Sequence, residues 1–286
     1  MKRGVRAIST AAFFCFLLAD LSSLFAEGVP VYTEQDLEIY GTNRGSGSGA
    51  SVSHPQAGQS FRPGSVSRPV PLRRFEVPYT ACESGARRII VGVTLNNTVT
   101  ATMALDTGSP GMIISDSLAS CLGIFRGDEG RLMVTASGIG GKTPAVLTII
   151  DSARIGGAED RFIPTLITPR LSDSFEGLIG MDFLANYSIQ VDAGRRIVIF
   201  TEQPASPSMP GGHDESWWRS HFSAFARMRS EWQAYREKLT RTNADPETLR
   251  QLKSFAESQY READKLFSKL NGYAIQHLVP MHWREY

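Results

Sequence analysis

The stretch Ala104-Leu105-Asp106-Thr107-Gly108-Ser109 sets a carboxylate between two apolar runs, the second being Gly111-Met112-Ile113-Ile114. Burying an unpaired charge for packing alone costs on the order of several kcal/mol, so Asp106 reads as a working carboxyl group. Gly108 lets the backbone turn tightly and approach a partner. Thr107 and Ser109 bring hydroxyls that can lock the loop or bond the carboxylate. A preorganised carboxyl is what acid–base work on an amide requires. The plainer alternative is a loop Asp that caps a turn. What lies downstream decides between them.

Other stretches offer weaker chemistry. Ala136-Ser137-Gly138-Ile139-Gly140-Gly141-Lys142-Thr143 fits a relaxed phosphate-loop pattern. That chemistry needs a helix N-terminus directly after the loop, and here Pro144 and a β-branched run follow instead. His54, His213, His221, His277 and His282 show no metal-ligand spacing with Cys or carboxylates, so they read as surface or packing residues and no metal is expected. Ser109 has no base that spacing identifies, which disfavours a serine hydrolase.

The elements that must position Asp106 are short strands. Arg88–Leu95 and Thr98–Leu105 read as a hairpin through Asn96-Asn97, a turn tolerant of positive φ, with Asp106 delivered at its end. Ser115 to Leu122 reads as a short helix with Ser115 as N-cap and Gly123 beyond its end. Further strands are expected at Arg131–Thr135, Ala145–Ile150, Arg161–Ile167, Tyr187–Val191 and Ile197–Phe200. The texture from 75 to 203 is thus that of a small β domain, large enough for its own core. Trp218, Phe222, Phe225, Trp232, Tyr235 and Leu239 then recur at helical spacing. A second helix opens at Asp245-Pro246 and is expected to close at Asn271-Gly272. Residues 213–286 therefore read as a helical hairpin extension whose aromatic face packs on the β domain or on a second copy.

Leu105-Asp106-Thr107-Gly108-Ser109, then the glycine-rich Ser137-Gly138-Ile139-Gly140-Gly141, then Gly177-Leu178-Ile179-Gly180-Met181-Asp182-Phe183-Leu184, resemble the motifs of the retropepsin-like aspartic proteases, in the same order. The likeness is to the exported bacterial members and spans about Ile89 to Phe200. It implies a mainly β fold, a small closed acid-protease barrel with the helical hairpin appended. It implies Asp106 as the catalytic aspartate, with Thr107 tying its loop to that of a partner, Gly108 letting the two loops approach, and Ser109 bonding the carboxylate. Gly138, Ile139, Gly140 and Gly141 would form a flap over substrate. Leu178, Ile179 and Gly180 would pack beside the catalytic loop, and Asp182 would be structural. Pro110-Gly111 departs from the small hydroxyl or apolar residues usual at that place. With one Asp-Thr-Gly per chain, the second carboxylate would come from another copy, making a homodimer that cleaves protein or peptide substrates without a cofactor.

The N-terminus fits export. Lys2, Arg3 and Arg6 precede an apolar run, Ala11 to Ala19, which Asp20 interrupts, so 1–26 read as a signal peptide with no stable membrane span after cleavage. The expected location is periplasmic or secreted. Residues 27–74 are dominated by Gly, Ser and Pro and read as a flexible linker. Cleavage removes Cys15 and leaves Cys82 and Cys121, for which one bridge and two separate thiols are equally compatible. A net charge of +1 with mixed signs throughout indicates no nucleic-acid partner. An alternative function on the same fold is a non-catalytic peptide-binding or scaffold protein. A bare binding module would have no need of an intact Asp-Thr-Gly-Ser.

Overall fold

A computed structural model describes residues 72–81, 88–126, 131–138, 141–204 and 209–286. The stretch read as a signal peptide, all but the end of the stretch read as a linker, Cys82, His54, and the hairpin-tip residues Ile139 and Gly140 lie outside the described residues. From Arg74 to Glu202 the described residues are mainly β. Its strands are β1 (Arg74–Pro78), β2 (Ile90–Leu95), β3 (Val99–Leu105), β4 (Met112–Ser115), β5 (Leu132–Gly138), β6 (Gly141–Ile155), β7 (Ala158–Thr168), β8 (Gly177–Ile179), β9 (Tyr187–Asp192) and β10 (Ile197–Glu202). Helix α1 (Asp116–Cys121) follows β4, and α2 (Met181–Leu184) follows β8. The C-terminal part holds α3 (Glu215–Thr240) and α4 (Pro246–Gln276). No helix among the described residues is long and apolar enough to cross a membrane.

Six strands close on themselves in the order β2-β3-β8-β4-β7-β6, with β6 returning to β2 through Thr94↔Arg154 and Leu95↔Ala153. Strand β6 is long enough to serve twice, pairing β7 in the barrel and β5 in a projecting hairpin. It carries Lys142 and Thr143 as strand residues with no helix behind them, which removes the phosphate-loop reading. A separate sheet of order β1-β10-β9 joins the first and last strands of the β part. Inside the barrel Val93, Leu95, Met103, Ile114, Ile150 and Ile155 are fully buried.

Local signals set several element ends. Asn96 and Asn97 take φ of 49° and 54°, the left-handed pair that a two-residue hairpin needs. Ser115 caps α1 by accepting from the Leu118 N–H at 3.0 Å. Asp214 and Asp245 cap α3 and α4 through Trp217 N–H and Thr248 N–H. One expectation fails: α4 does not stop at Gly272 but continues through it to Gln276, because Tyr273 and Ala274 pack against the β part and hold the extra turn.

The helical hairpin packs on the β domain of its own chain. Leu132, Val134, Ala145, Leu147, Ile149 and Phe162 from β5, β6 and β7 share one core with the aromatic face of α3 and the leucine stripe of α4. Trp218 is fully buried there and donates from Nε1 to the Pro210 carbonyl at 3.0 Å. At the seam His213 stacks on Trp217 with centroids 3.7 Å apart, and His221 lies 3.9 Å from the same ring. Burial pushes His213 down to about 3 and His221 down to about 4, so both imidazoles are neutral when the hairpin is docked.

Candidate active site

Strands β3 and β4 are not paired with each other; β8 lies between them. It runs parallel to β3 through Ala104↔Leu178 and Leu105↔Ile179, and antiparallel to β4 through Ile113↔Leu178 and Ile114↔Gly177. The chain from Asp106 to Gly111 bridges the gap across the end of β8. This is how motifs more than seventy residues apart in sequence come together.

Backbone hydrogen bonds fix that loop on both sides. Asp106 N–H donates to the Ile179 carbonyl at 2.9 Å, and Leu105 N–H to the Ile89 carbonyl at 2.9 Å. The first turn of α2 then reaches back. Met181 N–H donates to Ser109 C=O and Asp182 N–H to Pro110 C=O, each at 2.8 Å. Gly180 is required at this joint, because a Cβ there would stand 2.3 Å from the Gly111 carbonyl oxygen and 2.5 Å from that of Ser109. Leu178 and Ile179 pair with β3, and Ile179 and Gly180 lie directly beside the loop.

Asp106 is partly exposed, and its Oδ1 accepts from Gly108 N–H at 2.9 Å. That bond orients the carboxylate, and Oδ2 accepts no hydrogen bond from the described residues. Thr107 is exposed at the loop's outer side. Ser109 is buried, and its hydroxyl donates to the Gly111 carbonyl at 2.9 Å instead of bonding Asp106. Pro110-Gly111 accounts for this: the bend it makes presents the Gly111 carbonyl to the Ser109 hydroxyl two residues back. Ser109 therefore rigidifies the loop and does not touch the carboxylate within one chain.

Beneath the loop lie two acids, Asp182, which the motif resemblance implied to be structural, and Asp160, which no sequence motif singled out. The place where a Gly111 Cβ would stand is 3.4 Å from Asp182 Oδ2. Asp182 is pushed up to about 8, first by burial and then by the charge of Asp160. Asp160 is pushed up to about 7 by burial, against the pull of Arg161 N–H at 2.7 Å and Asn186 Nδ2 at 3.0 Å. Asn186 also donates to the Asp182 carbonyl, at 3.3 Å. The loop therefore rests on a floor of two carboxyl groups whose protonated forms are favoured by burial in the folded state. Asp182 interrupts an apolar run, Leu178 to Leu184, whereas Asp160 lies between Glu159 and Arg161 and gave no such signal.

This floor has a pH signature. Both acids have folded values above the ordinary 3.8, so between about pH 4 and about pH 8 the folded chain holds more protons than the unfolded one. Their contribution to stability is complete below about pH 4 and is lost as pH rises through that window. The seam histidines act in the opposite sense, but only below about pH 6.5. From about pH 6.5 to about pH 8.5 the carboxyls act alone. Asp182→Asn is expected to flatten the stability loss across that interval by on the order of 2 kcal/mol. Urea unfolding of wild type and variant at both ends checks it; a gap between them that does not change with pH would refute the protonated floor.

Strands β5 and β6 form an antiparallel pair up to the glycine-rich stretch. Gly138 pairs with Gly141 at the last rung of β5–β6, and Gly141 has φ of +102°, a conformation that favours glycine. The thiol of Cys121 is exposed and free. No group of three or more His, Cys, Asp or Glu among the described residues could hold a metal ion.

Residues 91–183 match the family model described as aspartyl protease, a span that runs from β2 through α2 and takes in Asp106, the β5–β6 hairpin and Gly180. Over that span the chain resembles the retropepsin-like aspartyl proteases. A crystal structure of a retropepsin-like aspartic protease from Rickettsia conorii is similar over 46% of this chain and 92% of that one, at 19% identity and a TM-score of 0.37. No curated protein matches the chain.

Proposed function

We propose that the chain is an aspartic endopeptidase whose active form is a twofold homodimer with Asp106 of both copies at the axis. The observation that carries this reading is the loop at Asp106: a carboxylate oriented by Gly108 N–H, partly open to solvent, on a backbone tied to β8 and α2. The sequence holds a single Asp-Thr-Gly and no Asp-Ser-Gly. A second chain is therefore the simplest source of the other acid. Two carboxylates that close cannot both ionise, so they share one proton and titrate as a pair; aspartic proteases are the standard example of such tuning.

In the reaction the ionised carboxylate takes a proton from a bound water as its oxygen adds to the peptide carbonyl carbon. The other carboxyl gives its proton to the carbonyl oxygen. Collapse of the resulting diol breaks the C–N bond: the proton taken from water goes to the leaving amine, and one diol hydroxyl returns its proton to the carboxylate that had protonated the carbonyl oxygen. Thr107 would link the two loops across the axis, and the β5–β6 hairpin would be the flap that covers substrate and excludes water. The leader at 1–26 supports action outside the cytoplasm.

Cleavage of a mixed peptide library by the purified chain, with and without a statine-type inhibitor and across a dilution series, tests the proposal. The expected result is inhibitor-sensitive cleavage whose specific activity falls as dimers dissociate. A fully active monomer would move the second acid into the chain. No cleavage at any concentration would leave a peptide-binding or scaffold module on the same fold.

A further inference from the structure

The outer edge of β5 is closed by side chains of the helical hairpin. Gln259 is buried, at 4% exposure, and uses both ends of its amide: Oε1 accepts from Met133 N–H at 2.7 Å, and Nε2 donates to Arg131 C=O at 3.0 Å. Arg131 N–H donates in turn to Glu262 Oε2 at 3.4 Å, and Glu262 Oε1 accepts from Lys265 Nζ at 3.0 Å. In a strand, the C=O of one residue and the N–H of the second residue on point to the same edge. One side-chain amide on α4 therefore makes the pair of bonds that the peptide of a neighbouring strand would make. An open edge is normally covered or paired, and here a helix does the pairing.

The same helices clad one face of the hairpin. Leu132 and Val134 on β5, with Ala145, Leu147 and Ile149 on β6, point into the core shared with α3 and α4, while Val146 and Ile150 point into the barrel. The base of the hairpin is thus held on its face and along its edge. The edge bonds end at Met133, five rungs below the Gly138↔Gly141 closure.

We infer that the C-terminal helical hairpin is a fixed backing for the flap, and that Gln259 is a positioning residue that sets where the flap can bend. This rests on the reading of β5–β6 as a flap. With Arg131 and Met133 pinned, opening is confined to the segment beyond Val134, so the tip lifts while the base stays in register. Loss of the pin lets the whole outer strand move and weakens the grip on substrate, while the chemistry at Asp106 is untouched.

The test uses the full chain with Gln259→Leu, close in volume but unable to make either bond, and Gln259→Glu, which keeps an acceptor for Met133 N–H and loses the donor to Arg131 C=O. Amide exchange read by NMR is expected to accelerate at Met133 by about tenfold or more in Gln259→Leu and to change little there in Gln259→Glu, with β2 and β3 amides unaffected in both. KM for a cleaved peptide is expected to rise about fivefold in Gln259→Leu with kcat within about twofold. Unchanged exchange at Met133 would overturn the inference, as would faster exchange throughout the barrel or a fall in kcat at constant KM. If Gln259→Leu does not fold, an exchange rate at Met133 in the wild type as fast as at an unpaired edge overturns it equally. A wild-type chain that cleaves nothing would overturn the protease reading instead, and the exchange rates would still decide whether Gln259 holds the strand.

Discussion

Asp106→Asn is expected to fold, melt and associate as the wild type does and to lose cleavage by about a hundredfold to ten-thousandfold. The first half follows from the loop. The only hydrogen bond that the Asp106 side chain makes within the described chain is as an acceptor from Gly108 N–H, and an amide oxygen accepts equally well. The bonds from Asp106 N–H to Ile179 and from Met181 and Asp182 N–H to Ser109 and Pro110 do not involve the side chain at all. The second half follows from the proposed chemistry, since an amide can neither take a proton from water nor share one with a facing carboxyl. Mixing the variant in excess with wild type should poison activity more steeply than dilution with an inert protein, because each mixed dimer holds one working acid. Activity that survives Asp106→Asn to within a few fold would remove Asp106 from the mechanism, and activity proportional to the wild-type fraction would remove the shared axis.

What the sequence revealed and what it concealed divide by range. The Asn96-Asn97 turn, the Ser115, Asp214 and Asp245 caps and the delivery of Asp106 at a strand end are all set by residues within a few positions, and the structure has each where the pattern put it. Strands β4 and β8, four and three residues long, were not legible as strands. They exist because each pairs with a segment far away in sequence, and runs that short carry no period. The bond from Ser109 to Gly111 was hidden for a related reason: a hydroxyl has several acceptors in reach, and backbone geometry alone selects one. Gln259 and Glu262 left a trace. They fall on the buried face of α4 among Leu252, Ala256, Ala263 and Leu266, polar residues on an apolar stripe. Such an interruption says that a buried polar group needs a partner. It does not say that the partner is a strand edge more than a hundred residues upstream.

Truncation after Gln203 is expected to unfold or aggregate the β domain, not to release a trimmed and active one. The cut would bare Leu132, Val134, Ala145, Leu147, Ile149 and Phe162, which among the described residues share their core with the helical hairpin. Re-exposing a large apolar side chain costs on the order of 1.5–3 kcal/mol, so the five larger ones together approach the whole stability of a small domain. Phe162 adds a local cost. It adopts φ of 56°, an unfavourable conformation for a bulky side chain, at a place where the pairing of β6 with β7 skips from Ile150↔Ile163 to Ser152↔Arg161. What holds it there is the helical hairpin: its ring stacks on Tyr273 at 4.6 Å and meets Trp217 edge-on at 6.4 Å. Without those rings the strained backbone has nothing to oppose its relaxation, and the next residues along β7 are Arg161 and Asp160, the acid beneath the catalytic loop. Phe162→Ala in the full chain separates the two effects, since it removes the stacking but leaves the cover: a melting point several degrees lower with the hairpin still docked is expected. A truncated chain with unchanged melting and unchanged sedimentation would show that the helices are a passenger on a self-sufficient barrel.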